Sequence, residues 1–470
     1  MIRFLFLLPT IFVTVMLGSP ASAYASEKPQ RMNVLLLIID DLNTWLLHDA
    51  NRYAGRVVTP GIHKLAGGGV NFTQAFAASP KCCPSRTALL SGVAPWKSGV
   101  TDNGVAVADS KHLQGKLSMP ELFKRHGYFI ASFGKVSHGY GIKKVWDEQV
   151  THKRDPVPPG AMLNGNPRKS ENDWGPTHLD ESAMNDTKMA DLAIAQLKRS
   201  HDKPFFIACG VFHPHAPFYV PQKYLDLYPQ DKLVAPPINE HDLDDVPAAG
   251  RKLIGGTYAW ANANGQYKAG LQGYLASTSY SDTQMGRVID ALDASPYRDN
   301  TVVVLMSDHG YHVGEKQHWQ KGTLWEEATN SLLMFRVPGV TTPKQTCSRP
   351  VSLLDVYPTL VELVGLPRPA HLDGVSLVPL LKDPSAGREQ PVLIAYQNHL
   401  AVRTDRYRYI RYGDGSEELY DRQADPHEWK NVASVAEFTQ IKKTLADQLP
   451  APGDRAPIVP YVRGKRDAED

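Results

Sequence analysis

The chain is poor in cysteine, in net charge and in long hydrophobic runs. Only four cysteines occur in 470 residues: Cys82, Cys83, Cys209 and Cys347. That excludes a disulfide scaffold. Adjacent Cys82 and Cys83 could pair only under strain; a Cys209–Cys347 bridge stays open. The charge balance is 51 basic against 49 acidic residues, a net +2. A dedicated nucleic-acid binder would carry a strong basic excess. Beyond the N-terminus no apolar run approaches the roughly 20 residues of a membrane span. Hydrophobic residues are 42% and charged residues 21%, which excludes a disordered chain, a coiled coil or a collagen-like rod. Gly and Pro, 36 each, suit a loop-rich enzyme. The length allows about three domains, or one large α/β domain with an appendage, and no internal repeat is visible.

The N-terminus has the features of an export leader. Arg3 is the only charge in residues 1–23, Phe4 to Gly18 is apolar, and Ala21-Ser22-Ala23 is a small-x-small cleavage pattern. With no Cys near the cut, a lipid anchor is not expected. The mature protein is expected to be exported, periplasmic or secreted, without a stable membrane anchor.

Four segments share one design. The runs Val34 to Ile39, Tyr128 to Phe133, Phe205 to Val211 and Thr301 to Met306 are short, apolar and β-rich. They predict strands buried on both faces of a parallel sheet. Helical patterns lie between them, as at Ser118 to Arg125, Thr187 to Arg199 and Leu271 to Leu292. The alternation predicts an α/β fold with helices on both faces. The stretches Asp147 to Asp180 and Pro229 to Gly270 are polar and rich in Pro, Gly and Asn; they are expected to wall a substrate cleft. A catalytic domain is expected over 30–386. After Gly387, short strands (Val392 to Ala395, Ala401 to Arg403, Arg406 to Tyr412) and a helix (Val435 to Leu449) predict a smaller antiparallel subdomain over 387–463. Residues 464–470 form a charged tail expected to fray.

Ligands of open α/β sheets bind at the carboxyl ends of the strands. Those four ends carry Asp40 and Asp41, Lys135 and His138, His213 and His215, and Asp308 and His309. Three carboxylates brought to one point repel unless a cation sits among them, and oxygen donors suit Ca²⁺ or Mg²⁺. Alternatively, Asp40-Asp41 caps a turn. The most informative segment is CCPSRTALLSG, Cys82 to Gly92. Pro84 suits a first helical turn and Gly92 a helix end, so Cys82 would stand at an anion-attracting N-terminus. Arg86 offers a bidentate fork to a tetrahedral oxyanion. A buried helix start with a satisfied Arg is the alternative on spacing alone.

The Cys-x-Pro-Ser-Arg motif followed by Ser91-Gly92 resembles the signature of type I, formylglycine-dependent sulfatases. Within that family the chain is most similar to the iduronate-2-sulfatase group. The matching pieces are LIIDDLN, CCPSRTALLSG, FGKVSH, HPHAPF, SDHGYHVGE and ELYDRQADPHEWKN, in that order from Asn33 to Asn431. The resemblance implies an alkaline-phosphatase-like α/β fold with a large, mostly parallel sheet. It implies sulfate-ester hydrolysis with one Ca²⁺ ion and a formylglycine formed from Cys82 by a formylglycine-generating enzyme. Asp40, Asp41, Asp308 and His309 match the calcium positions, with modified Cys82 also touching the ion. Arg86 and Lys135 would hold the nucleophile and sulfate, and His138 would take its proton. His215 and Lys321 would bind the ester and protonate the leaving alcohol, and His213 would contact substrate. His213 departs from the Lys often found there. A sulfated polysaccharide or oligosaccharide is the expected substrate, with a 2-O-sulfated uronic acid the favoured sugar by analogy.

Three histidines near these segments, His178, His312 and His318, are expected to be loop residues rather than ligands. The Arg403 to Tyr412 run, RTDRYRYIRY, fits a strand with one solvated face, with contact to acidic glycans the alternative. Rival functions are a phosphodiesterase or phosphonate monoester hydrolase of the same fold, and a secreted glycan-binding protein without turnover.

Overall fold

In the computed structural model, residues 1–2, 31–48, 52–140, 145–160, 162–166 and 172–462 are described. Apart from its first two residues, the leader lies outside them, as does the tail 464–470. From Arg31 onward the chain packs as one compact unit.

Its centre is an eight-stranded sheet. In chain order the strands are β1 (Asn33–Ile39), β2 (Val70–Phe72), β3 (Phe129–Gly134), β4 (Glu148–Thr151), β5 (Phe205–Val211), β6 (Thr301–Ser307), β7 (Leu333–Arg336) and β8 (Gln345–Cys347). The spatial order is β8-β2-β7-β6-β1-β5-β3-β4, and β7 alone runs against the rest. The four apolar runs of the sequence are the central strands. The shorter flanking strands carry too few apolar residues to stand out from loops.

Successive residues of β1 serve opposite faces. Val34, Leu36 and Ile38 enter one core with helices α2 (Cys82–Ser91), α3 (Met119–Arg125) and α6 (Val356–Leu363). Leu35, Leu37 and Ile39 enter the other with α1 (Pro60–Ala66), α4 (Asn185–Lys198) and α5 (Tyr267–Asp293). All six side chains are fully buried, each contributing roughly 1.5–3 kcal/mol. Cys209 and Cys347 belong to opposite cores and are not bonded to each other. Ser118 caps α3 with a reciprocal Glu121 contact, which is why the helix starts where the sequence pattern does.

The C-terminal strands β9 (Val392–Tyr396), β10 (His399–Arg403), β11 (Tyr407–Arg411) and β12 (Glu417–Asp421) form an antiparallel meander with α7 (Thr439–Ala446) packed on it. Of the arginines of β10 and β11, Arg403 and Arg408 do not line a solvated face, whereas Arg411 is partly exposed. Arg403 and Arg408 are buried and bridge Glu326, and Arg408 also pairs with Glu428 at 2.7 Å. This network joins the meander to the segment after the active-site loop.

The two long polar stretches are more structured than expected. The first supplies β4 and a strand at Trp174–Pro176 that pairs with Phe218–Val220. The second holds the helices Ala248–Arg251 and Thr257–Ala263. Among the described residues no helix is long and apolar enough to cross a membrane.

Candidate active site

The carboxyl ends of β1, β3, β5 and β6 meet at one point, as the parallel register requires. β1 leads into Asp40 and Asp41, and Asp41 takes a left-handed φ of 58°. An Asp tolerates that conformation better than most residues, and such strain gathers at functional sites. β3 and β5 approach unusually closely. Gly134 (φ 80°) faces Gly210, and a Cβ at Gly134 would stand 1.9 Å from the Gly210 carbonyl oxygen. The two glycines thus let Lys135 turn under the sheet end.

Helix α2 brings the nucleophile segment. Lys81 is its N-cap, and Gly92 closes it in the left-handed conformation with its N–H on the Ala88 carbonyl. All ten residues are buried, so the helix is held by tertiary packing. Cys82 therefore lies at the first turn, as the spacing predicts.

Around the Cys82 Sγ stand His309 Nε2 at 3.3 Å, Lys321 Nζ at 3.1 Å and Asp41 Oδ1 at 4.0 Å. Lys321 also donates to Asp41 Oδ1 at 2.5 Å. His215 Nε2 lies 3.9 Å from Asp41 Oδ2. Arg86 is fully buried and forks between Asp308 (Nε to Oδ2, 2.8 Å) and Asp40 (Nη2 to Oδ1, 3.1 Å), and it also donates to the Lys135 carbonyl. Lys135 Nζ reaches Asp40 Oδ2 at 2.7 Å. His138 is buried in the loop after β3.

Charge sets the ionisation of this cluster. Burial works against the charged form of Asp40, yet Lys135 and Arg86 hold it well below the usual carboxylate range. Burial, aided by Asp40 and Cys82, pushes Asp41 up to about 7 against the pull of Lys321. Burial likewise lifts Asp308 to about 6 against Arg86. Burial disfavours the His309 cation, but Asp308 and Cys82 raise it to about 9. Burial together with Lys321 and Lys135 keeps His215 neutral, well below the ordinary histidine value. Burial and Asp40 oppose ionisation of Cys82, but Lys321, Lys135 and His309 prevail and hold it well below the ordinary thiol value.

The donor atoms of Asp40, Asp41, Cys82 and His309 lie within 4.8 Å of one another. His309 Nδ1 donates to the Gly310 carbonyl, which leaves Nε2 facing the group. Asp308 Oδ1 accepts from the Asp41 and His309 amides at 3.3 and 3.0 Å. Buried carboxylates, with Asp41 raised among them, and one imidazole fit a hard divalent cation. The thiol is the soft member of the set, and an oxygen in its place would complete it.

Other histidines near the site are held by hydrogen bonds. His213 Nδ1 pairs with Asp186 at 2.7 Å, and Asp186 also accepts the Phe212 and His213 amides. His312 is hydrogen-bonded to the Glu315 carbonyl and Thr323. His318 bonds the Lys321 carbonyl and the Gly255 amide, which orients the loop carrying Lys321. His178 is exposed.

The structure also adds residues that the sequence patterns did not single out. The end of β4 delivers His152, stacked on Phe212 with centroids 4.6 Å apart, and Arg154, 5.7 Å from the same ring. Lys135 lies 4.9 Å from that ring as well. The basic run His152-Lys153-Arg154 was the available signal, but β4 is too short and polar to mark it as a strand end.

A nucleophile position at a helix start, flanked by carboxylates, lysines and a buried arginine at the strand ends, defines a hydrolase of tetrahedral oxyanion esters. The family model described as Sulfatase matches residues 32–366, and one described as N-sulphoglucosamine sulphohydrolase, C-terminal, matches 314–453. The chain belongs to the sulfatase family and is a sulfuric ester hydrolase. It is 36% identical over 445 residues to a sulfatase of Formosa agariphila, covering 90% of this chain and 87% of that protein. It is 29% identical to the iduronate 2-sulfatase of Homo sapiens, covering 76% and 73%. The fold matches that of a phosphonate monoester hydrolase from Silicibacter pomeroyi with a TM-score of 0.74 at 21% identity, covering 89% and 94%.

Proposed function

We propose that this protein is an exported, calcium-dependent sulfatase that removes sulfate from a sulfated polysaccharide or oligosaccharide, with a 2-O-sulfated uronic acid as the preferred sugar. The observation that carries the reading is the convergence on the Cys82 Sγ of Lys321, His309 and Asp41 within 4.0 Å. The likeness to iduronate 2-sulfatase supports the choice of sugar. Export rests on the leader pattern of residues 1–23 and the cleavage triplet Ala21-Ser22-Ala23.

Asp40, Asp41, Asp308 and His309 would hold the calcium ion, with modified Cys82 beside them. Cys82, once oxidised to formylglycine by its generating enzyme, would supply an oxygen nucleophile, and the ion, when bound, would supply positive charge beside the sulfate. The chain's own groups do the rest. Arg86 keeps Asp40 and Asp308 ionised and fixed. Lys135 and Lys321 present two ammonium groups to the sulfate oxygens. Lys321 would protonate the leaving alcohol, the neutral His215 would help bind the ester by a hydrogen bond, and His138 would receive the proton released at the nucleophile. His213, with its Nδ1 on Asp186, would contact substrate.

The test is the mass of the tryptic peptide Cys82 to Arg86 from protein matured in its own host, followed by turnover of sulfated sugars. An aldehyde in place of the Cys82 thiol, with release of sulfate from 2-O-sulfated uronate oligosaccharides, is the expected result. Two unmodified cysteines in mature, active protein would remove the proposed nucleophile.

A further inference from the structure

Lys81 stands next to the nucleophile and is not used by the chemistry above. It is the N-cap of α2, with an extended backbone (φ −143°, ψ 147°), and its side chain is half-buried. Among the described residues its ammonium has no ion pair and no hydrogen-bond acceptor; it lies 5.9 Å from the centroid of the Tyr396 ring and within reach of the Lys321 charge. A lysine held in this way normally finds a carboxylate. Of the carboxylates whose charge reaches it, Asp102 is already engaged by the Gln397 side-chain amide at 2.9 Å and the Asn103 N–H at 2.8 Å, and Asp41 by Lys321 at 2.5 Å.

Several elements build this place. Gly322, the residue after Lys321, has φ 83° and lets the chain pass close by. A Cβ there would lie 2.7 Å from Lys81 Cε, 3.2 Å from its Nζ and 3.4 Å from the Tyr396 hydroxyl. Tyr396 is buried at the end of β9, and the Gln397 N–H that follows is fixed on the Thr101 carbonyl at 3.1 Å. The Gly322 N–H bonds the Pro80 carbonyl at 3.1 Å. Lys81 and Lys321 are thus carried on two hydrogen-bonded segments, and Lys321 faces Cys82 and Asp41. The repulsion between the two cations and the desolvation of Lys81 are both relieved when an anion lies between them and the ring.

We propose that Lys81, backed by Tyr396, binds a second anionic group of the substrate, the carboxylate of the sulfated uronic acid, and so sets a preference for acidic over neutral sugars. The inference rests on the proposed uronate specificity and deepens it. The carboxylate would meet the Lys81 ammonium, which the Tyr396 ring steadies from its buried side.

The test compares wild type with Lys81→Met and Lys81→Arg on 4-nitrophenyl sulfate, with a 2-O-sulfated uronate disaccharide and its carboxyl-reduced counterpart as substrates and as inhibitors. Ratios between the two disaccharides are read, so that incomplete Cys82 modification cancels. Wild type should favour the acidic form, Lys81→Met should lose at least tenfold of that preference in KM or Ki, and Lys81→Arg should restore part of it. Equal discrimination by wild type and Lys81→Met overturns the role of Lys81 alone. A wild type that hydrolyses 4-nitrophenyl sulfate but neither cleaves nor is inhibited by either disaccharide overturns the uronate reading, and the inference with it.

Discussion

Replacing His213 by Ala separates a substrate contact from a structural one. The imidazole pairs with Asp186 at 2.7 Å, both groups are buried, and the ring meets Tyr280 edge-on with centroids 5.1 Å apart. Removing one partner of a buried ion pair strands the other charge and costs about 3–5 kcal/mol. The two amides still on Asp186 place the loss toward the lower end. His213→Gln keeps a donor and should cost about 1–2 kcal/mol. The loss should also depend on pH. Burial opposes the His213 cation but Asp186 raises its pKa above 6.5, so its contribution is complete below about 6.5 and fades as pH rises through the folded value. Burial opposes ionisation of Asp186 but His213 lowers its pKa below 3.8, so its contribution is present above 3.8 and fades as pH falls through the folded value. Urea denaturation across pH 4 to 9 should therefore show the largest gap between wild type and His213→Ala on the acidic side of neutrality. A gap below about 1 kcal/mol at every pH, with a tenfold rise in KM for sulfated sugars, would refute the structural role and make His213 a substrate ligand.

Arg86→Lys keeps the charge but loses the fork that spans Asp40 and Asp308; sulfatase kcat/KM should fall at least 100-fold and the denaturation midpoint should drop, as a single ammonium cannot replace the planar pair of contacts. Gly134→Ala would place a Cβ 1.9 Å from the Gly210 carbonyl oxygen, so soluble yield and melting temperature should fall sharply, whereas Gly115→Ala, with nothing within 4 Å, should lose less than about 1.5 kcal/mol despite its φ of 71°. Chelation should lower the melting temperature more at pH 8 than at pH 5: Asp41 and Asp308, raised from 3.8 to about 7 and 6 chiefly by burial, oppose folding increasingly as pH rises from 3.8 toward those values, and fully above them, when no cation offsets them. Equal effects of chelator at both pH values would count against metal binding by these carboxylates.

Local pattern carried much of the outcome. The four short apolar runs could be read because a strand buried on both faces needs continuous hydrophobicity, and their polar ends could be read because charged residues there need a reason. The Cys82 to Gly92 segment announced its own helix through Pro84 and Gly92. The C-terminal meander was visible in three of its strands; Glu417–Asp421, with charged residues at both ends, was not.

What local pattern could not determine is partnership across distance. Nothing near Arg403 and Arg408 reveals that their counter-charges are Glu326 and Glu428, since the pairing arises only when the meander folds against the catalytic sheet. His213 and His215 are two residues apart and equally suggestive in sequence, yet one turns to Asp186 and the other stays near Asp41. The strands β2, β4, β7 and β8 are too short to be specified by periodicity and exist because a neighbouring strand offers its backbone groups. The sequence by itself determined which chemistry is carried, because nucleophile, carboxylates and cations are read as residue types at strand and helix ends. Only the tertiary structure decided which of those groups face one another, because burial and charge pairing depend on neighbours hundreds of residues away.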